Sequence, residues 1–497
     1  MDPAWTRHLP PGTVPGDVDL LAERTLPAAW ASGWAHDPER PTIHDRGAWL
    51  SAGELDARSR RVAGRLARAR LQPGDRILMS AAASVELVIA HVAALRLGLV
   101  VVPVNGAYGA REFATIVIDC QPAAAIVDSD SARDHVLAAA TTAVVVTSPA
   151  VELRDGPEPP LDDRESRDLA LLGYTSGTTG TPKGAMLTHG NALASCAALR
   201  LAWRWVPDDR LVLALPLFHI HGLGVGLHGT LLAGASAVLL PRFDVDAVLD
   251  AVREHDASLF FGVPTMYTRL AASPRVAELA SLRLCVSGSA PLAASLHEQL
   301  STAAGVQVLE RYGMTETIMN VSNPYVGERR AGTVGFPLPG VEVRLDGDGE
   351  SGEILLRGPN VCAGYWRRDE ATRAAFDPDG WFRTGDVGEF DPDGYLRIVG
   401  RAKELIISGG FNVYPREVED VLLTHPAVAE VAVVGEPSDE WGEVVVAVVV
   451  AGSADVTEAD LLAHAAHDLA PYKRPRGVRF VEALPRNALG KVLRHQL

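Results

Sequence analysis

Residues 174–184, YTSGTTGTPKG, combine side chains suited to binding a phosphate. Three glycines, five Ser/Thr hydroxyls and one lysine fall within eleven positions, directly after the apolar string DLALLG. Glycines let backbone N–H groups turn toward a phosphate, hydroxyls add donors, and Lys183 adds a positive charge. The spacing differs from the G-x-x-x-x-G-K-[ST] of P-loop proteins. The string therefore predicts a phosphate-binding loop of another kind, with a solvent-exposed linker as the alternative.

Two other groups of residues allow rival chemistry. The string GVGLHG at residues 224–229 fits G-x-G-x-x-G, follows the strand-like RLVLALPL, and has Asp244 twenty residues after its first glycine. A dinucleotide site needs its glycines directly after the strand, but Pro216 and the string FHIH intervene. Close helix packing is therefore favoured. His219 and His221 could bind a metal, but they have no acidic or cysteine partner nearby.

Five further strings place aromatic, carboxylate and basic residues beside glycines. They are SGSAP (287–291), RYGMTET (311–317), WFRTGD (381–386), GYLRIVGR (394–401) and PRNALGK (485–491). With the phosphate-loop string, and in this order, they resemble the motifs of the adenylate-forming superfamily, which includes acyl-CoA synthetases, aryl-CoA ligases, luciferases and peptide-synthetase adenylation domains. The resemblance extends from about residue 40 to the last residue of the sequence.

The resemblance implies a nucleotide site assembled from these strings. Tyr312 would stack on the adenine, and Asp386 would accept hydrogen bonds from both ribose hydroxyls. Glu316, with Thr175, would hold Mg²⁺, a hard cation that binds few carboxylates and otherwise phosphate oxygens and water. The residues expected to contact ATP or coenzyme A are Thr175, Ser176, Gly177, Thr178, Thr179, Lys183, Gly288, Ser289, Ala290, Arg311, Tyr312, Gly313, Thr315, Asp386, Ile398, Arg401, Lys403, Ser408, Gly409 and Gly410.

The resemblance also implies a catalytic set and a moving domain. Lys491 would bridge the carboxylate of the acid and the α-phosphate, which reduces the repulsion between two anions. In relatives the C-terminal domain rotates about one hinge residue between two half-reactions, and that residue aligns with Lys403. After the rotation Lys491 would leave, and the loop from Ser408 to Gly410 would line the thiol tunnel. The expected catalytic residues are Lys491, Glu316, Thr175, Lys183 and His219.

The strings FHIHGL, FGVPTMY and ERYGMTETIMN further resemble malonyl- and methylmalonyl-CoA synthetases, and less completely a group of fatty-acyl-CoA ligases. This resemblance places Arg242, in LLPRFD, on the distal carboxylate of a malonate-type acid; a surface arginine at the start of a helix is the alternative. His219 would lie between the acid pocket and the thiol tunnel. The residues expected to contact the acid are His219, Arg242, Phe261, Val263, Ser287, Met314 and Met319.

Several elements must position these residues. Apolar β-branched strings alternate with helical periodicity from about residue 75 to residue 320: DRILMSA, LVVVPVN, AAAIVD, TTAVVVTS, RLVLALPL, SAVLLPRF and LRLCVSGS. Such alternation predicts parallel sheets covered by helices. Glycine- and proline-punctuated strings after residue 330 predict a small β-rich unit, and the last ninety-odd residues predict a helix, two strands and a second helix.

The predicted fold class is α/β in two domains. Residues 1–402 form a large N-terminal domain of parallel α/β subdomains plus the small β-rich subdomain, which holds ATP and the acid. Residues 403–497 form a small mobile α+β C-terminal domain that acts as a lid.

Composition limits the partners. The chain of 497 residues has 46 Lys and Arg against 62 Asp and Glu, a formal net charge of −16, which argues against general affinity for nucleic acid. No stretch reaches the roughly 20 uninterrupted apolar residues that a bilayer span needs. The N-terminal MDPAWTRHLPPG lacks the basic and apolar regions of a secretory signal. We predict a cytoplasmic monomer or homodimer, without membrane or nucleic-acid partners, whose four cysteines are reduced and buried.

The predicted function is ATP-dependent activation of a carboxylic acid to an acyl-adenylate, followed by thioester formation with coenzyme A. The cofactors are then ATP, Mg²⁺ and coenzyme A, and a short dicarboxylic acid of the malonate type is the leading substrate. The alternatives are a fatty- or aryl-acid CoA ligase and a CoA-independent adenylating enzyme of a biosynthetic pathway, including one that activates nitrite for diazotisation. A catalytically silent homologue is disfavoured, because Lys183, Glu316, Asp386 and Lys491 are all present.

Overall fold

The computed structural model describes residues 3–175, 182–347, 350–402, 404–408, 411–438, 441–452, 455–487 and 491–497. The strands before residue 403 are β1 (Pro41–Asp45), β2 (Ala48–Ser51), β3 (Arg76–Ser80), β4 (Val100–Pro103), β5 (Ala124–Val127), β6 (Val145–Thr147), β7 (Leu169–Thr175), β8 (Lys183–Thr188), β9 (Arg210–Leu213), β10 (Ser236–Leu239), β11 (Leu259–Gly262), β12 (Leu284–Ser287), β13 (Leu309–Tyr312), β14 (Val321–Ser322), β15 (Phe336–Pro337), β16 (Glu342–Asp346), β17 (Ser351–Arg357), β18 (Phe382–Phe390) and β19 (Leu396–Arg401).

The α-helices of the same part are α1 (Leu26–His36), α2 (Ala52–Arg68), α3 (Val85–Leu97), α4 (Ala110–Cys120), α5 (Asp130–Ala139), α6 (His189–Ala202), α7 (His228–Ala233), α8 (Val245–Glu254), α9 (Pro264–Ala271), α10 (Ala294–Ala304) and α11 (Asp369–Ala375). The later elements are β20 (Ile406–Ser408), β21 (Phe411–Val413), α12 (Pro415–Leu422), β22 (Val428–Ser438), β23 (Gly442–Ala451), α13 (Glu458–Asp468) and β24 (Gly477–Phe480).

Two largely parallel sheets form the body of the protein. The nine-stranded sheet has the order β15-β14-β13-β12-β11-β9-β10-β1-β2, and the six-stranded sheet has the order β6-β5-β3-β4-β7-β8. All neighbours from β1 through β10, β9, β11 and β12 to β13 are parallel, and β8 runs antiparallel to β7. Each of the seven apolar strings predicted as strands forms one, and the α/β fold class is confirmed.

Two smaller sheets follow along the chain. Strands β16 to β19 form a four-stranded antiparallel sheet, which is the predicted β-rich unit. In the C-terminal part, β22 pairs antiparallel with β23, β24 adds in parallel to β23, and α12 and α13 accompany this sheet. The predicted helix–strand–strand–helix order is thus present, with the β20–β21 hairpin and β24 in addition. Lys403 lies outside the described residues, so the boundary at 402/403 stays a prediction.

The glycines of the G-x-G-x-x-G string lie in tightly packed helical turns. Residues His221–Leu227 form a π-helical segment that leads into α7. A Cβ on Gly226 would lie 2.8 Å from Leu213 Cδ1, and one on Gly229 would lie 2.6 Å from the Trp205 indole. Side chains do not fit there, so close packing accounts for the string and no dinucleotide turn exists.

Helix α3 is enclosed by the core and carries a fully buried arginine. Residues 87–97 are all buried, and the side chain of Arg96 has no exposed surface. Its guanidinium donates to Asp56 at 2.7 Å and, through two nitrogens, to Asp162 at 2.8 and 3.1 Å. Asp162 belongs to an irregular segment between β6 and β7. The arginine therefore ties that segment to α2 and α3.

No helix in the described part of the chain is both long and apolar enough to span a bilayer.

We expect Arg96→Ala to lower the free energy of unfolding by about 3–5 kcal/mol, because it leaves two carboxylates beside an emptied buried site. Arg253→Ala is the control: Arg253 is 57% exposed and pairs only with surface carboxylates, so its loss should cost less than about 1 kcal/mol. Urea unfolding followed by tryptophan fluorescence measures the free energy of unfolding of both variants. Trp34, one of the fluorescent residues, lies 5.8 Å from the Arg96 guanidinium. Equal effects of the two substitutions would contradict the prediction.

A pair of buried histidines joins α3 to α7. The Nε2 atoms of His91 and His228 are 2.8 Å apart, and Trp30 packs against the His228 ring. Burial lowers the pKa of His91 to about 3 and holds the pKa of His228 well below its usual value. Both rings are therefore neutral in the native protein at pH 7.

This pair predicts a loss of stability in mild acid. The unfolded chain takes up protons near pH 6.5, whereas the native histidines do not. Because each native pKa is lowered, the stability they contribute is complete above pH 6.5 and decreases as the pH falls toward 5, by about 1.4 kcal/mol per pH unit per histidine. Replacing the exposed His36 with glutamine should leave this slope unchanged. A free energy of unfolding that is constant between pH 7 and pH 5 would refute the prediction.

Candidate active site

Several of the predicted site residues meet where the two large sheets adjoin. Parallel neighbours β11, β12 and β13 end at Gly262, Ser287 and Tyr312, so the loops that follow them lie at one edge of the sheet. Ligands bind at this carboxyl edge in open α/β sheets. The six-stranded sheet reaches the same place, because a Cβ on Gly173 of β7 would lie 2.4 Å from the Thr315 methyl group.

A buried carboxylate organises the predicted nucleotide end. Tyr312 donates its hydroxyl to Asp386 Oδ2 at 2.6 Å, and Arg401 Nε lies 3.0 Å from Asp386 Oδ1. Asp386 and Arg401 face each other directly on antiparallel β18 and β19, where Ile398 is also half-buried. Burial and the charge of Asp386 raise the pKa of Tyr312 well above its usual value, so the phenol stays protonated. The structure thus brings together three residues expected at the adenine and ribose.

The loop after β12 is held from both sides. A Cβ on Gly288 would lie 2.3 Å from the guanidinium carbon of Arg311, so a larger residue there would displace the arginine head group. Ser289 has a left-handed backbone (φ 69°), its hydroxyl lies 3.3 Å from His221 Nδ1, and Ala290 beside it is half-exposed.

A second buried carboxylate, Glu310 on β13, accepts the backbone N–H of Leu292 at 2.9 Å. Burial raises the pKa of Glu310 to about 7.

The predicted metal carboxylate, Glu316, is buried and surrounded by hydroxyl groups. Its Oε1 lies 3.4 Å from Thr175 Oγ1 and accepts the hydroxyl of Tyr365 at 3.1 Å. Burial raises the pKa of Glu316, and a cation would favour its ionised form. Oxygen donors with a single carboxylate fit Mg²⁺, which otherwise keeps water and phosphate oxygens. Ser176, Gly177, Thr178 and Thr179 lie outside the described residues, and their roles stay predictions.

Two residues of this site were not identified from the sequence. Tyr365 contacts Glu316, and its ring lies 5.4 Å from the ammonium of the half-buried Lys183. The buried amide of Asn360 donates to the carbonyls of Thr317 and Met319 at 2.8 and 2.9 Å, and so holds the turn after Gly313. Both residues fall in the string GPNVCAGYW (358–366). Polar residues between glycines in this string could have identified them as candidates from the sequence.

Arg311, which was expected to contact ATP or coenzyme A, lies instead beside residues predicted for the acid, next to Gly288 and close to His219. Arg311 is 5% exposed, and its Nε and one Nη have no hydrogen-bond partner among the described residues. The buried Ser287 Oγ and His221 Nε2 also have no hydrogen-bond partner among the described residues. Burial and the charge of Arg311 lower the pKa of His219 to about 4, and His221 shifts the same way, so both imidazoles are neutral. The cluster offers a cation and two neutral polar groups to an incoming anion.

The apolar residues predicted in the acid pocket have different surroundings. Phe261 is fully buried edge-on against Trp203 and Trp205, at ring distances of 5.2 and 5.3 Å, and Met319 is also within the core. Val263 is buried at the start of α9, and Met314 is half-buried 4.0 Å from the Tyr312 hydroxyl. Their contact with the acid stays a prediction.

Arg242 is not part of the buried cluster. It is exposed in the loop between β10 and α8, and it makes no hydrogen bond or ion pair within the described ranges. The following Asp244 caps α8 by accepting the backbone N–H of Ala247. In this structure Arg242 therefore matches the alternative of a surface arginine before a helix, and its role on a distal carboxylate stays a prediction.

The C-terminal part brings one lysine to the nucleotide end. Burial and the positive charge of Arg401 lower the pKa of Lys491, while Glu404 and Asp386 act in the opposite direction. Arg494 fixes this tail by donating to Glu404 and Glu419 at 2.8 and 2.6 Å. Ser408, at the end of β20, is buried next to β23. Lys403, Gly409 and Gly410 lie outside the described residues.

The structure thus brings Tyr312, Asp386 and Arg401 together at one place and sets Glu316 beside Thr175 and Tyr365, an arrangement suited to a nucleotide and a cation. Residues 30–366 match the AMP-binding enzyme family, and residues 417–491 match the AMP-binding enzyme C-terminal domain. The chain belongs to the family of AMP-binding enzymes.

Several of its relatives are CoA ligases. A feruloyl-CoA synthase of Amycolatopsis sp is 39% identical over 473 residues, covering 93% of this chain and 96% of the relative. A mitochondrial malonate–CoA ligase of Mus musculus is 38% identical, covering 68% and 66%. The crystal structure of ATP-bound MatB from Rhodopseudomonas palustris is 42% identical, covers 95% of this chain and 98% of that one, and superimposes with a TM-score of 0.89. The protein is an AMP-forming acid–thiol ligase that uses ATP and coenzyme A.

The position of Lys491 predicts that its loss separates the two half-reactions. We expect Lys491→Ala to slow acyl-adenylate formation by about 10²–10³, the usual contribution of a positioned charge. Thioester formation from supplied acyl-adenylate should change less than about threefold, because the lysine is expected to leave before that step. Pyrophosphate release and acyl-adenylate consumption measure the two steps. Arg479→Ala, a half-exposed cation of the same domain, is the control, and equal loss of both steps in Lys491→Ala would refute this role.

Proposed function

We propose that this ligase activates a short dicarboxylic acid of the malonate type with MgATP and transfers the acyl group to coenzyme A. The observation that carries the proposal is the buried guanidinium of Arg311, with two nitrogens that have no partner among the described residues. Burying an unpaired charge costs several kcal/mol, and a second carboxylate on the substrate would offset that cost. The 38% identity to a malonate–CoA ligase also supports it.

In this proposal Arg311 takes the place expected for Arg242. A guanidinium can bind a carboxylate through two parallel hydrogen bonds, and the unpartnered nitrogens of Arg311 suit that geometry. Ser287 Oγ and His221 Nε2, which are also unpartnered and buried, would complete the binding of the distal carboxylate. Arg242 is exposed to water, where an ion pair contributes little.

The first half-reaction joins the reactive carboxylate to the α-phosphorus of ATP and releases pyrophosphate. Tyr312, Asp386 and Arg401 would hold the nucleoside, Lys183 would bind the outer phosphates, and Lys491 would lie between the two reacting anions. Glu316 with Thr175 would hold Mg²⁺, which neutralises phosphate charge when bound. The second half-reaction, attack of the thiol of coenzyme A on the acyl-adenylate, would follow rotation of the C-terminal domain about Lys403.

A second candidate substrate class is a fatty or aryl acid. It is favoured by the 39% identity to a feruloyl-CoA synthase over nearly the whole chain. Pyrophosphate release from a panel of dicarboxylic, fatty and aryl acids in the presence of coenzyme A distinguishes the two.

The two arginines give a direct test of the substrate. We expect Arg311→Met to lower kcat/KM for malonate relative to butyrate by about 30-fold or more, because one partner of a buried charge pair is lost while an unbranched, flexible side chain still fills most of the site. Arg242→Ala should leave that ratio within about twofold. The opposite result would assign the distal carboxylate to Arg242. A wild-type enzyme that already prefers butyrate or an aryl acid would refute the dicarboxylic proposal.

A further inference from the structure

The string CAGYW (362–366), here called the GYW segment, connects the two halves of the predicted ATP site. Ala363 and Trp366 donate their backbone N–H groups to Met186 and Gly184 at 2.9 and 2.8 Å, and Met186 donates to Gly364 at 2.9 Å. The GYW segment thereby pairs with the beginning of β8, directly after Lys183. At its other end, Cys362 donates to the backbone carbonyl of Glu316 at 2.8 Å.

The backbone of Tyr365 is fixed from several directions. Its N–H donates to Thr372 Oγ1 at 2.9 Å. Gly364 has φ 122°, and a Cβ there would lie 2.4 Å from the Thr372 methyl group, so only glycine permits this approach. Trp366 Nε1 donates to the Asp119 carbonyl at 3.3 Å, and the Asp119 carboxylate binds Tyr174 and Arg368 at 2.7 Å each. The Tyr365 backbone is therefore held by contacts outside the predicted ATP site, and it fixes the point from which the side chain extends.

From this fixed position, one side chain contacts two groups that must act on the same phosphates. The Tyr365 hydroxyl donates to Glu316 Oε1 at 3.1 Å, and the Lys183 ammonium lies 5.4 Å from the centre of its ring. A hydrogen bond to a carboxylate restricts its orientation, and an aromatic face within about 6 Å attracts a cation. The Thr175 hydroxyl lies 3.4 Å from the same Oε1 of Glu316. Thr175 is the last residue of β7, whereas Lys183 is the first residue of its neighbour β8.

We propose that Tyr365 is a positioning residue for the metal–phosphate site, which orients the Glu316 carboxylate through its hydroxyl and the Lys183 ammonium through its ring. The inference rests on the proposed role of Glu316 in holding Mg²⁺. The side-chain hydrogen bonds from Tyr365 and Thr175 both go to Oε1 of Glu316. The two contacts of Tyr365 can be separated, because phenylalanine keeps the ring and loses the hydroxyl.

The test is calorimetric binding of ATP, without acid or thiol, as a function of Mg²⁺ concentration. Tyr365→Phe should raise the Mg²⁺ concentration for half-maximal ATP binding about tenfold, within the range that a hydrogen bond to a charged group supports. ATP binding with Mg²⁺ removed by EDTA should change less than about twofold. Tyr365→Leu, which also removes the ring beneath Lys183, should weaken ATP binding under both conditions.

Controls separate positioning from a general loss of structure. Tyr395→Phe removes one tyrosine hydrogen bond, to the Glu328 carbonyl, away from the site, and should leave the Mg²⁺ dependence unchanged. In a Glu316→Gln background, Tyr365→Phe should have no additional effect. A Mg²⁺ dependence of Tyr365→Phe within about twofold of wild type, or an equal shift in Tyr395→Phe, overturns the inference. A wild type that binds MgATP but activates no dicarboxylic acid overturns the substrate proposal instead.

Discussion

A carboxylate and a polyphosphate repel each other, and an enzyme that joins them must place positive charge between them without binding anions everywhere. This chain has a net charge of −16, yet its site gathers Lys183, Arg311, Arg401 and Lys491 from four separate parts of the sequence. All four of these cations are at least partly removed from water, where electrostatic interactions are stronger. The architecture of sheets, loops and lid can be understood as the means of assembling this local positive charge.

The two large sheets contribute through their edges. The nine-stranded sheet supplies the loops after β12 and β13, and the six-stranded sheet supplies the β7–β8 hairpin. The contact of Gly173 with Thr315 and the pairing of the GYW segment with β8 keep these edges at a constant distance. Buried polar groups such as the Asn360 amide satisfy the carbonyls of the turn that carries Glu316. Because unsatisfied buried polar groups are costly, this turn has few alternative conformations.

In this structure the C-terminal part brings Lys491 close to Arg401 and Asp386. Arg401 lies at the end of β19 and pairs with Asp386, so the last strand before residue 403 also forms part of the predicted ribose end. Arg494 pairs with Glu404 and Glu419, both within the C-terminal part. In the proposed mechanism, a rotation of the C-terminal part would separate Lys491 from Arg401 and could keep the ion pairs of Arg494.

The sequence by itself determined the motifs, seven of the strands and the fold class. The strands and helices follow from short-range patterns: apolar runs for β3, β4, β5, β6, β9, β10 and β12, and helical periodicity for α12 and α13. Tyr312, Asp386, Arg401, Glu316 and Lys491 were candidates because their strings resemble the motifs of a known family. The C-terminal helix–strand–strand–helix order was also recognisable, because it is local.

The tertiary structure alone decided which side chains act on one another. Thr175 and Glu316 are 141 residues apart, and Tyr365 and Glu316 are 49 apart, so their contacts follow from strand order and not from any local pattern. Burial likewise distinguished Arg311, whose nitrogens lack partners among the described residues, from the exposed Arg242. The energetic role of a charge depends on the water and partners around it, and only the folded chain specifies these.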